Sequence, residues 1–144
     1  MKDLKKLVVD TNQFILRFGS LENSASKILL NKFPELASSI AIHIPQTVVK
    51  EVRNNLSPPR FKEFINFIHA VGTVDEDALV PVELAVKYAS LGLKPADSFI
   101  AAYTDWIQAD ILVSENRHFL SRQTNLPFKV VTAARCLLIL SKEK

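Results

Sequence analysis

The apolar runs of this sequence are short, and polar or imino residues cut them off. Leu7-Val8-Val9 stops at Asp10, the β-branched run at residues 40–44 stops at Pro45, and Ile111–Val113 stops at Ser114. Runs of this length between breakers predict buried strands: one over residues 4–9, one over 40–44 and one over Ile111–Val113. Residues 128–131 read as a further strand, and residues 70–74 as a weaker one. The segments between them carry a helical period. Val48, Val49, Val52 and Leu56 share one face of residues 47–56, and Phe61, Phe64, Ile65 and Ile68 recur at i, i+3, i+4 and i+7. Residues 14–18, 24–33, 81–91 and 132–140 also predict helices, and Pro95 opens a longer one with Phe99, Ile100, Tyr103 and Ile107 inward. Strands alternating with helices imply an α/β fold, a mostly parallel sheet covered on both faces. Ligand sites in such sheets lie beyond the carboxyl ends of the strands, at a topological switch point.

A length of 144 residues suits one domain and suffices to bury a core. The single cysteine, Cys136, excludes an intramolecular disulfide and a CxxC zinc site. Gly19, Gly72 and Gly92 are too far apart for a phosphate-cradling GxGxxG or P-loop. The charged start and the early stop at Asp10 predict no secretory signal, and no stretch approaches 18 apolar residues, so a soluble cytoplasmic protein is expected. A net charge of +3 permits a nucleic-acid partner without requiring one.

Four polar positions fall at predicted strand ends or helix starts on one edge. Asp10 follows the first strand, where it can also cap the next helix, as can Asn12. Glu51 lies early in the helix after Pro45, and Asp97 in the first turn after Pro95, where pairing with the helix dipole explains either one in isolation. Ser114-Glu115-Asn116-Arg117-His118 follows the Ile111–Val113 strand. Acids gathered on one edge repel one another and raise each other's pKa. A hard cation such as Mg²⁺ or Mn²⁺ offsets that repulsion, takes oxygen ligands and activates water against a phosphodiester.

Four blocks carry a family resemblance: Val8-Val9-Asp10-Thr11-Asn12, residues 44–52, residues 92–102 and residues 111–119. In order and spacing they resemble a PIN domain of the small, stand-alone, VapC-like kind, spanning nearly the whole chain. The resemblance implies a single PIN-like domain over residues 1–144. Its fold would be a three-layer α/β/α Rossmann-like sandwich with a parallel five-stranded sheet. The implied activity is hydrolysis of RNA by an Mg²⁺- or Mn²⁺-dependent nuclease. Asp10, Glu51 and Asp97 match the family's acidic positions and are implied as metal ligands. Asn116 stands where a fourth acid is often found and His118 where a later aspartate is common, which puts a second metal position in question. The implied catalytic set is Asp10, Glu51, Asp97 and Asn116; the implied substrate-binding positions are Thr11, Asn12, Ser114, Arg117 and His118. Asn12 is expected to orient Asp10 through the turn. Chains of this size in the family are often the toxin of a toxin–antitoxin pair, which implies an antitoxin partner and a homodimer.

Two basic groups, Lys50, Arg53, Arg60 and Lys62 with Arg117, His118 and Arg122, would form a phosphate-holding rim if they face the site. Tyr103, Trp106, His43 and Cys136 read as core. The alternative function is a PIN-fold RNA- or protein-binding module whose chemistry is weakened at Asn116 and His118. A dehalogenase-like phosphatase wants a second aspartate where Asn12 stands, and a receiver wants an acidic pair where Val8-Val9 stands.

Overall fold

The structure, a computed structural model, describes residues 4–19, 24–121 and 125–142. Its sheet has five parallel strands: β1 (Lys6–Val9), β2 (Ala41–Pro45), β3 (Thr73–Asp75), β4 (Ile111–Val113) and β5 (Lys129–Val131), in the order β3-β2-β1-β4-β5. Leu7, Val8 and Val9 of the central strand are fully buried, with no alternation of exposure. That is the signature of a strand covered on both faces. The chain moves outward from β1 to β2 and β3, then crosses back to β4 and β5. Right-handed crossovers in opposite directions place the intervening helices on opposite faces of the sheet.

One face carries α1 (Thr11–Gly19), α2 (Ala25–Asn31), α3 (Phe33–Leu36), α4 (Gln46–Asn55) and α5 (Pro58–Val71). There α1 packs on α2, α4 and α5. Phe14 and Phe18 of α1 meet Phe64 edge-on, with ring centroids at 4.9 and 6.0 Å. Phe67 joins Phe18 to Phe33. Such aromatic contacts add about 0.5–1.5 kcal/mol each beyond area burial. The other face carries α6 (Val82–Ala89) packed on α7 (Pro95–Trp106). The short α8 (Arg117–Ser121) links β4 to β5, and α9 (Ala133–Lys142) returns to pack on α2. Among the described residues no helix is long and apolar enough to cross a membrane.

Several expectations change at their edges. The helix read over residues 24–33 divides at Lys32, because Pro34 lacks an N–H and cannot extend α2. The strand expected over residues 70–74 begins instead at Thr73. Ala70 and Val71 finish α5, and Gly72 N donates to Ile68 O to close its last turn. Val71 lies three residues after Ile68, so it fits the helical stripe as well as a strand. Trp106, read as core, is half exposed at the carboxyl end of α7. His43 is half-buried on β2, with Nδ1 2.9 Å from Asp75 Oδ2, while Tyr103 and Cys136 are buried as expected.

Gly72, just before β3, lies close against the backbone of β2. Its backbone is extended, yet an added Cβ would lie 2.6 Å from the carbonyl oxygen of Ile42. Backbone cannot swing aside as a side chain does. Gly72→Ala is therefore expected to cost about 1–3 kcal/mol by forcing β3 away from β2. Thermal unfolding monitored by circular dichroism should show Tm lower by several degrees; a variant melting with the parent would show that this strand edge yields freely.

Candidate functional site

The order of the sheet reverses between β1 and β4, and the polar residues converge there. Asp10 N donates to Val113 O at 2.9 Å, and Ser114 N donates to Val131 O at 2.9 Å, so the ladder continues one residue past the strands. This sets Asp10 and Ser114 side by side at the mouth of the switch crevice. Asp10 is 4% exposed. Its Oδ1 accepts from Thr11 N at 2.7 Å, and its Oδ2 accepts from the Ser114 hydroxyl at 2.6 Å.

Two arms run outward from this pair. On one side the Thr11 hydroxyl donates to Glu51 Oε1 at 2.7 Å. Glu51 is placed by α4, whose N-cap position is Pro45 and has no side-chain cap. Asp77 supplies the missing acceptor from a 3₁₀ turn after β3, taking Thr47 N at 3.0 Å and the Thr47 hydroxyl at 2.7 Å. On the other side Ser114 Oγ accepts from Asn116 N at 3.0 Å, and Asn116 Nδ2 donates to Asp97 Oδ2 at 3.0 Å. Asp97 stands in the first turn of α7, where its charge suits the helix dipole. One unbroken hydrogen-bonded path therefore runs Glu51–Thr11–Asp10–Ser114–Asn116–Asp97.

The charges in this path act on its centre. Burial is the main reason the Asp10 carboxyl is raised to about 6; the bonds from Ser114 and Thr11 hold it down, and the neighbouring charges of Asp97 and Glu51 add to the rise. Among the described residues no group of three or more His, Cys, Asp or Glu side chains is arranged to hold a metal ion. The acids of the path, Asp10, Glu51 and Asp97, nevertheless offer carboxylate oxygens, which is the ligand chemistry a hard cation takes.

Asn116 has a second task. Its carbonyl accepts His118 N at 2.9 Å, which caps α8, a helix inside what reads in sequence as a polar loop. The cap commits the carbonyl, so the amide N–H₂ faces Asp97. Asn12 does not reach Asp10 as expected; its Oδ1 faces Glu115 N and Gln13 Nε2, both at 3.5 Å. Thr11 N orients Asp10 instead. Gln13, passed over in sequence, is wholly buried, and Nε2 donates to Glu115 Oε2 at 2.7 Å. A polar residue beside Phe14, on the helix face packed inward, was the available signal.

Arg117 and His118 are exposed at the start of α8. Arg53 lies over the Phe61 ring and Arg60 donates to Phe18 O at 2.7 Å, so both are engaged with the protein's own surface. Arg122 lies outside the described residues. A cleft of about 920 Å³, lined in part by Leu4, Asp110, Phe128 and Arg135, sits by the residues preceding β1, β4 and β5, at the opposite edge from the acids.

The raised Asp10 carboxyl has a pH consequence. Its folded-state value of about 6 exceeds the ordinary 3.8, so the ionised form is disfavoured by folding. The penalty is absent below pH 4, grows between 4 and 6, and is full above 6, where the displacement corresponds to at most about 3 kcal/mol. Asp10→Asn should therefore raise cation-free stability at pH 7.5 by about 1–3 kcal/mol and leave it unchanged near pH 3.5. Urea unfolding at the two pH values measures the difference; equal gains at both would show that charge is not the cause.

No protein-family model matches the chain, and no curated protein matches it in sequence. Solved structures do match. VapBC2 from Rickettsia felis, crystallised bound to a DNA fragment from its promoter, aligns with a TM-score of 0.63 at 16% identity over 88% of this chain and 98% of that one. FitAcB from Neisseria gonorrhoeae aligns with a TM-score of 0.57 at 13% identity over 89% and 98%. At such identities the likeness speaks of architecture alone, and it agrees with the parallel five-stranded sheet: the chain has a PIN-like α/β fold.

Proposed function

We propose that this chain is an Mg²⁺- or Mn²⁺-dependent ribonuclease acting at the Asp10 edge. The observation that carries the reading is the hydrogen-bonded path that joins three acids across the switch crevice, with a buried carboxylate at its centre. A fold alone implies no activity; the side chains at its site have to supply one. Mg²⁺ keeps several waters and is commonly held by only one or two carboxylates. Asp10 and Asp97 would hold it directly and Glu51 directly or through water. When bound, such an ion lowers the pKa of water and offsets charge on a phosphodiester.

The chain's own residues do the positioning. Thr11 and Ser114 hold the carboxylates of Glu51 and Asp10, and the Asn116 amide holds Asp97. Arg117 and His118 stand exposed at the same edge, where cationic or hydrogen-bonding contact with a phosphate backbone would make binding salt-dependent. VapBC2 and FitAcB are toxin–antitoxin complexes, which supports reading this chain as a toxin with an antitoxin partner. A homodimer belongs to the same proposal.

The test is cleavage of a single-stranded RNA by the full chain with and without Mg²⁺. Cleavage should need the cation, stop with chelator and fall to background in Asp10→Asn. Undiminished cleavage by that variant in a clean preparation would defeat the assignment. Asn116→Asp keeps the cap but replaces the amide donor with a fourth carboxylate. It should weaken cation-free stability, by about 1 kcal/mol, and restore it as Mg²⁺ is added. Differential scanning calorimetry across an Mg²⁺ series reads both effects.

A second reading is a binding module, favoured by the neutral Asn116 whose carbonyl is committed to capping α8. Calorimetric Mn²⁺ binding without any cleavage of mixed RNAs would select it.

A further inference from the structure

The loop between β4 and α8 is three residues long, and its middle residue turns away from the acids. Ser114 holds Asp10 and Asn116 holds Asp97, while Glu115 Oε2 accepts from Gln13 Nε2 at 2.7 Å and from Ala133 N at 2.9 Å. Gln13 lies on α1 three residues after Asp10, and Ala133 is the first residue of α9. The loop is thus fastened to two helices at the point midway between its two working side chains. Gln13 is wholly buried, and its Oε1 has no hydrogen-bond partner among the described residues. An orphaned acceptor in the core opposes stability, and an apolar side chain of similar size would avoid it. What the glutamine supplies is its Nε2 donor to Glu115.

We propose that Gln13 and Glu115 form a latch that positions the β4–α8 loop, so that Glu115 serves the acidic site as a positioning residue and not as a cation ligand. The proposal rests on the metal-dependent reading of that site. Displacing Glu115 moves Ser114 and Asn116 together, and with them the hydrogen bonds that aim Asp10 and Asp97. Supporting residues of this kind typically tune metal affinity or activity by about ten- to a hundredfold.

Both donors go to one oxygen, so an amide at position 115 can accept them through its carbonyl, whereas alanine accepts neither. The experiment compares Glu115→Ala, Glu115→Gln and Gln13→Leu in the full chain, using manganese chloride calorimetry and steady-state cleavage of a single-stranded RNA. Glu115→Ala should weaken Mn²⁺ binding and lower kcat by about ten- to a hundredfold, with KM moving less than kcat, and Glu115→Gln should recover most of both. Gln13→Leu should show a similar loss while its Tm equals or exceeds the parent's. Mn²⁺ affinity and kcat within about twofold of the parent in both Glu115→Ala and Gln13→Leu overturn the proposal. So does a fall in Tm that tracks the loss across all three variants, which is the mark of a merely structural pair. If the parent itself neither binds Mn²⁺ nor cleaves RNA, the nuclease reading fails, and amide hydrogen exchange decides the latch. Glu115→Ala must then speed exchange at Asn116 and His118 while β1 and β4 stay protected, and unchanged exchange at those two amides overturns it.

Discussion

The hydrogen bond from Ser114 to Asp10 spans the one place where the sheet reverses direction, and the rest of the site hangs from it. A carboxylate taken out of water must be compensated by donors or lose its charge. Asp10 receives two donors, one from the next residue along the chain and one from the neighbouring strand. Each donor group also reaches an outer acid: Thr11 through its hydroxyl to Glu51, Ser114 through Asn116 to Asp97. The compensation of one buried charge therefore determines where the other two stand. Of the seven buried polar side chains among the described residues, four are Asp10, Thr11, Gln13 and Ser114. Buried polarity is concentrated at this edge, while α1 and α5 meet through the aromatic rings of Phe14, Phe18 and Phe64.

The alternation of short apolar runs and helical stripes made the α/β class and the parallel sheet legible, because full burial on both faces leaves no alternation to confuse with an exposed strand. The three acids were legible as strand-end or helix-start residues, and the structure brings them into one path. What was not legible came from tertiary context. Val71 satisfies both a helical and an extended pattern, and only the closing bond from Gly72 to Ile68 assigns it to α5. Trp106 carries an apolar signature but sits half exposed at the last residue of α7. Asn12 was the residue expected to orient Asp10, and the backbone geometry at the start of α1 gives that bond to Thr11 N. Gln13 was legible only as a polar neighbour of Phe14, because its role depends on Glu115, 102 residues away.

Asn116 shows why residue type at a matched position is an incomplete guide. Read as a neutral substitute for an acid, it would contribute its carbonyl to a cation. In the fold that carbonyl caps α8, and the amide hydrogen turns toward Asp97. The substitution thus exchanges a repulsive neighbour of Asp97 for a donor to it. The carboxylate that most needs a positive charge nearby is then Asp10, whose burial no donor fully offsets.

Two local rules are broken in the same few residues: a carboxylate is buried close to like charges, and a core glutamine keeps an unpaired carbonyl. Conflicts of this kind are expected at functional sites rather than scattered through a fold. Neither conflict is required by the architecture. Solved chains only 13–16% identical to this one share its fold, so the backbone tolerates wide exchange of side chains. An apolar residue at position 13 and an amide at position 10 would relieve both costs without touching a strand. That the chain carries both conflicts at the switch point, where four of the seven buried polar side chains among the described residues gather, ties the polar chemistry to the crevice and not to the requirements of folding.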